Sequence, residues 1–163
     1  MSGTTKERAA SNLANFVASI EGDGRSLDHP YVLLLGLEPL DTARLVERVR
    51  EGFSFRELER FRENVGLSRS EIAGLVQIKP RTLDRRKKEG RLQTEESDRL
   101  LRASRVFGKA IGLFEGDVGA AKEWLSSPQI ALGGAVPLEM AKTDIGAREV
   151  ENLAGRLEQG VFS

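Results

Sequence analysis

Residues 68–92 read SRSEIAGLVQIKPRTLDRRKKEGRL, and this stretch decides the fold. Ser68-Arg69-Ser70-Glu71 has the S-x-x-E form of a capping box, so the spacing predicts a helix from Arg69. Ile72, Leu75 and Val76 fall on one face of that helix. Gln77-Ile78-Lys79 breaks the pattern, and Pro80 suits the first turn of a new helix, where its missing N–H costs nothing. The second helix carries one strong apolar residue, Leu83, to hold it to a core. Arg81, Arg85 and Lys88 point away from Leu83, with Glu89 beside them and Thr82 and Arg86 on the flanks. Gly90 ends the helix as a left-handed cap does.

Charge is concentrated on the same segment. Lys79, Arg81, Arg85, Arg86, Lys87, Lys88 and Arg91 face only Asp84 and Glu89, a local net of +5. An isolated charge run is usually a solvated face. Here it coincides with a capped helix, a three-residue turn and a Pro-started helix, the layout of a helix-turn-helix whose second helix enters the major groove. Arginine and lysine neutralise phosphates, and those near the helix N-terminus reach base edges. The candidate DNA-binding set is therefore Lys79, Arg81, Thr82, Arg85, Arg86 and Lys88.

The whole chain has 163 residues and a formal net charge of zero, so affinity for a polyanion must come from local asymmetry. Residues 115–163 have a net charge of −4, which keeps the C-terminal third off DNA. With no cysteine, disulfides and thiolate chemistry are excluded, and a reducing cytoplasm is the expected compartment. The longest apolar run, Tyr31 to Leu37, is far below the roughly 20 residues of a membrane helix, and no signal peptide is visible.

The remaining segments predict an all-α chain. Residues 1–12 read as frayed or weakly helical, and Leu13, Phe16, Val17 and Ile20 as a short amphipathic helix. The Tyr31–Leu37 run fits a strand or a buried helical turn equally well. A helix with Leu45, Val46 and Val49 inward follows Asp41. Ser54-Phe55-Arg56-Glu57 is a second capping box, opening a helix with Phe55, Leu58, Phe61 and Val65 in its stripe. Thr94 to Phe114 forms the longest helix, with enough apolar surface to suggest a dimer interface. Asp117 caps a helix stopped by Pro128; Pro137 opens a short one; Thr143 caps the last. No catalytic constellation is present: His29 is the only histidine, and Gly133-Gly134 lacks the lysine of a phosphate loop. A non-enzyme without metal or cofactor is expected.

The central segment resembles the phage-repressor (Xre-like) helix-turn-helix family, with Ile72, Ala73, Val76, Ile78 and Leu83 in its apolar and small positions. Two positions depart from the pattern. Gln77 stands where a glycine commonly takes the left-handed turn, which implies a strained φ or a different turn. Arg86 stands where an apolar residue closes the packing, a role that Leu92 is free to assume. A second resemblance covers residues 124–163, WLSSPQIALGGAVPLEMAKTDIGAREVENLAGRLEQGVFS, which look like the toxin-binding C-terminal domain of the Xre/MbcA/ParS class of antitoxins. Its marks are W-L…P, A-L-G-G-x-x-P-L, T-x-x-G-A-R-E-V and the closing L-x-x-G-V-F.

Together the resemblances imply an N-terminal arm without assignment (1–42), an Xre-like helix-turn-helix domain (43–105) and a small helical toxin-binding domain (106–163). They further imply a type II antitoxin whose partner is a RES-domain toxin that consumes NAD or uses it to modify a target. Such an antitoxin binds the toxin directly and, as a dimer or larger complex, represses its own operon at an operator. Val161 and Phe162 are apolar beyond the helix-ending Gly160, and a buried Phe contributes about 1.5–3 kcal/mol. With the Ser163 carboxylate suited to a pyrophosphate pocket and Arg148 able to pair with a toxin carboxylate, Arg148, Val161, Phe162 and Ser163 form the expected toxin contact; the other reading has the tail fold back to cover the C-terminal module. The alternative is a stand-alone dimeric helix-turn-helix regulator with a C-terminal ligand or oligomerisation domain, marked by an enclosed apolar cavity.

Overall fold

The computed structural model describes residues 2–21 and 28–160. Among these are nine α-helices, two short 3-10 turns and no strand. The helices are α1 (Ser2–Glu21), α2 (Thr42–Glu51), α3 (Phe55–Val65), α4 (Arg69–Leu75), α5 (Pro80–Glu89), α6 (Thr94–Leu113), α7 (Val118–Ser126), α8 (Pro137–Met140) and α9 (Asp144–Glu158).

The local start signals act as the sequence predicts. Ser54 and Ser68 each accept from the backbone N–H three residues on, while Glu57 and Glu71 reach back to the cap amides. Asp117 accepts from Ala120 N at 3.0 Å, and Thr143 from Gly146 N at 3.1 Å. One reading narrows and one changes. Of the two options for the N-terminal residues, the helix holds from Ser2: α1 runs unbroken to Glu21, since nothing after Gly3 interrupts it. Val46 is 42% exposed, so α2 faces inward through Leu45, with Val49 only partly covered.

The Tyr31–Leu37 run resolves as a 3-10 turn, Pro30–Leu35, whose Val32, Leu34 and Leu35 are fully buried. It lies beneath α1, α3 and α6, tied down by Asn64 Nδ2 donating to Leu34 O at 2.7 Å. With Phe16 of α1 also buried, the described residues ahead of α2 close one side of the core. That core is continuous from Phe16 to Val150. Its axis is α6, which packs on α9, α7, α2, α3 and the 3-10 turn. Phe61 and Phe107 meet edge to face at 5.6 Å across the α3–α6 contact.

The apolar stripe of α6 that suggested a dimer interface is therefore used inside the chain. Leu100, Leu101, Val106, Phe107, Ala110 and Ile111 are all buried inside the chain. No helix among the described residues is long and apolar enough to cross a membrane.

Candidate functional site

The pair α4–α5 presents the cationic surface. Lys79 and Pro80 start α5, and Leu83 is its one fully buried apolar side chain. Lys79, Arg81, Arg85, Lys87 and Lys88 are exposed, and Thr82 is half-buried. Arg69 of α4 pairs with Asp84, and Arg85 lies 3.8 Å from Glu89, so the two acids of the segment are held beside its cations. The end of α5 is fixed to the start of α3, with Phe55 N donating to Gly90 O at 3.0 Å and Leu92 N to Phe53 O at 2.8 Å.

Arg86 does not belong to this surface. It is 7% exposed, because three residues beyond Leu83 it returns to the inward face of α5. Its Nε donates to Glu96 Oε1 at 2.7 Å and its Nη1 to Glu89 at 3.1 Å. Glu96, at the start of α6, also accepts from Gln93 N at 2.8 Å. Burial pushes the Glu96 carboxyl pKa up, yet the hydrogen bonds from Arg86 and Gln93, with the charges of Arg86 and Arg99, together hold it below its ordinary value. An ion pair thus fills the site where the family pattern has an apolar side chain, and Leu92 just past the helix is buried.

The turn between α4 and α5 bears the strain expected of Gln77, whose φ is +56°. Its side chain has a specific use. Nε2 donates to the backbone carbonyl of Lys142 at 2.9 Å, and Arg102 Nη1 reaches the same oxygen at 3.3 Å. Arg99 of α6 donates to Val76 O at 2.6 Å from behind the turn. The turn is thereby latched both to α6 and to the α8–α9 junction.

The C-terminal module is built from α7, α8 and α9. A Cβ at residue 146 would lie 1.9 Å from Met140 O, so only glycine lets α9 begin against the end of α8. This gives the T-x-x-G spacing a physical meaning: Thr143 caps the helix that Gly146 allows to pack. Arg148 is exposed and bonds Asp144 Oδ2 at 3.0 Å. Val161, Phe162 and Ser163 lie outside the described residues. From Arg148 to Glu158, α9 spans about 15 Å at 1.5 Å per residue. Two exposed apolar residues escaped the sequence reading, Ile130 at 97% exposure and Ile145 at 77%. Helical periodicity treats an apolar residue as inward by default, so neither carried a signal. An open cleft of about 640 Å³ lies between α4 and α5, lined by Ala73, Ile78, Pro80 and Leu83.

A family model described as the antitoxin Xre-like helix-turn-helix domain matches residues 44–105, and the antitoxin Xre/MbcA/ParS C-terminal toxin-binding domain matches residues 109–160. A protein named Antitoxin Xre from Yersinia enterocolitica is 38% identical over 130 residues, covering 79% of this chain and 88% of that relative. The chain belongs to the Xre antitoxin family. As a member it is an antitoxin of a toxin–antitoxin system. Antitoxin Xre of Photorhabdus laumondii is 32% identical, with 71% of this chain and 78% of the relative covered. A more distant relative, named Prs ADP-ribosylating antitoxin, from Sphingobium sp. (strain YBL2), is 25% identical over 82% of this chain and 87% of its own length. In this Xre antitoxin the two matched segments share one helix, because both residues 105 and 109 lie inside α6.

Proposed function

We propose that this antitoxin neutralises a RES-domain toxin that consumes NAD or uses it to modify a target, by covering the toxin's active site, and represses its own operon through α5. One observation carries the reading. A single chain joins an exposed cationic helix of groove-entering size to a module matching a toxin-binding domain. The word ADP-ribosylating in the Sphingobium relative's name supports NAD chemistry in the system, since NAD is the usual ADP-ribose donor. Lys79, Arg81, Arg85 and Lys88 contact operator DNA, with Thr82 at the edge, and the chain acts in the cytoplasm. It binds as a dimer, on half-sites one helical turn apart, about 34 Å.

Arg148 contacts the toxin from one end of α9, and Val161, Phe162 and Ser163 contact it beyond the other. Deleting residues 161–163 should abolish rescue of cells that co-express the RES-domain toxin. Operator affinity and the melting temperature should stay as in the intact chain. Full rescue by the shortened chain rejects the tail as the part that covers the active site, and a large fall in melting temperature assigns it to the fold instead.

A further inference from the structure

We propose that the loop around Ile130 is the apolar anchor of this antitoxin on its toxin, filling a hydrophobic socket on the toxin surface. The inference rests on the toxin-binding reading of the C-terminal module, and it names a contact separate from Arg148 and the tail.

Single exposed apolar residues are ordinary on protein surfaces and mean little by themselves. Ile130 differs in how it is held. Its side chain is 97% exposed while the backbone on both sides is fully organised. Gln129 N donates to Ala135 O at 3.0 Å, Gly133 N to Ile130 O at 2.9 Å and Gly134 N to Gln129 O at 2.9 Å. Gly133 and Gly134 take positive φ values of 67° and 86°, which lets the loop close so tightly. Below, the Gln129 side chain donates to Trp124 O at 2.9 Å and Ser127 O at 3.2 Å. Val136 and Pro137 then lead the chain back toward the core, with Pro137 buried. The loop thus spends its hydrogen bonds on presenting a β-branched side chain to solvent. An anchor ordered in advance loses little conformational freedom when a partner closes over it.

The surroundings define the partner. Residues 124–138 hold no charged residue, in a chain that is 31% charged. Pro128, Ala131, Gly133 and Gly134 are exposed beside Ile130, and none carries a charge or a side-chain hydrogen-bonding group. Loss of charge at the centre of a patch with charges at its rim, here Glu123 and Glu139, is the pattern of a protein–protein interface core. Nucleic acid is a poor fit, because the loop offers no cation to a phosphate. The patch lies within the segment that matches a toxin-binding domain, and the occupant is the toxin.

The experiment measures binding of purified full-length Ile130→Asp, Ile130→Leu and wild-type chains to the RES-domain toxin proposed above as the partner. Light scattering and a thermal melt accompany each. Ile130→Asp should weaken toxin binding about 30-fold or more, the scale of a hot-spot residue. Its melting temperature should match wild type, because the side chain packs on nothing, and Ile130→Leu should keep most of the affinity. Wild-type toxin affinity in Ile130→Asp overturns the anchor while leaving the toxin-binding reading intact. No binding by the wild-type chain overturns both. If Ile130→Asp alters only the oligomeric state, the occupant is a second copy and the proposal fails.

Discussion

Two adjacent arginines of α5 lie in opposite environments. Arg85 is exposed beside Glu89, whereas Arg86 is enclosed with Glu96. Arg81→Ala, Arg85→Ala and Lys88→Ala should each weaken operator binding by about 1–3 kcal/mol, measured by titration at fixed salt. Their unfolding free energies should stay within about 0.5 kcal/mol of wild type, as for ordinary surface changes. Arg86→Ala should do the reverse, destabilising the chain by about 3–5 kcal/mol because it strands the Glu96 carboxylate in the interior. The pair also predicts a pH dependence. The folded Glu96 carboxyl titrates below its ordinary 4.5, so its stabilising share is complete above that value and is lost as pH falls through the lower folded value. In urea melts the gap between wild type and Glu96→Ala should be widest near neutral pH and narrow as the solution is acidified below about pH 4. A gap that widens on acidification would assign the stabilisation to another group.

At the level of elements, the helix starts were legible because a cap is a local device. Ser54, Ser68, Asp117 and Thr143 each satisfy a backbone amide three residues away, and such spacing is written in the chain. The place of Arg86 was not legible, since its partner Glu96 sits on another helix beyond an intervening turn. The layout of the candidate surfaces was readable to the same degree. The cationic face of α5 follows from periodicity, while the exposure of Ile130 depends on which way a folded loop points. At the head of α9 the decisive contact is steric. Gly146→Ala would drive a methyl into the Met140 carbonyl, so the α8–α9 junction must shift. A loss of about 1–3 kcal/mol is expected, lowering the melting temperature by several degrees, with toxin affinity reduced as α9 moves. An unchanged melt would mean that the junction yields freely.

Across the whole molecule, the N-terminal segment is the part that pattern reading undervalued. Its polar beginning suggests a loose arm, but Phe16, Val32, Leu34 and Leu35 are buried against the rest of the core. Removing residues 1–42 would uncover the parts of α3 and α6 on which α1 and the 3-10 turn pack. The shortened chain should lose its cooperative melt and not merely its terminus, as calorimetry of the two chains would tell; a cooperative transition near the wild-type temperature would restore the arm to independence. The latch at Gln77 has a different consequence, for how such a protein can change over generations. Its acceptor on the toxin-binding side is a main-chain oxygen, that of Lys142, so the bond makes no demand on which side chain stands there. As far as this latch is concerned residue 142 is free to drift, whereas α7 and α9 remain bound to their partners by side chains, as Lys122 with Glu71 and Arg105 with Glu151 show.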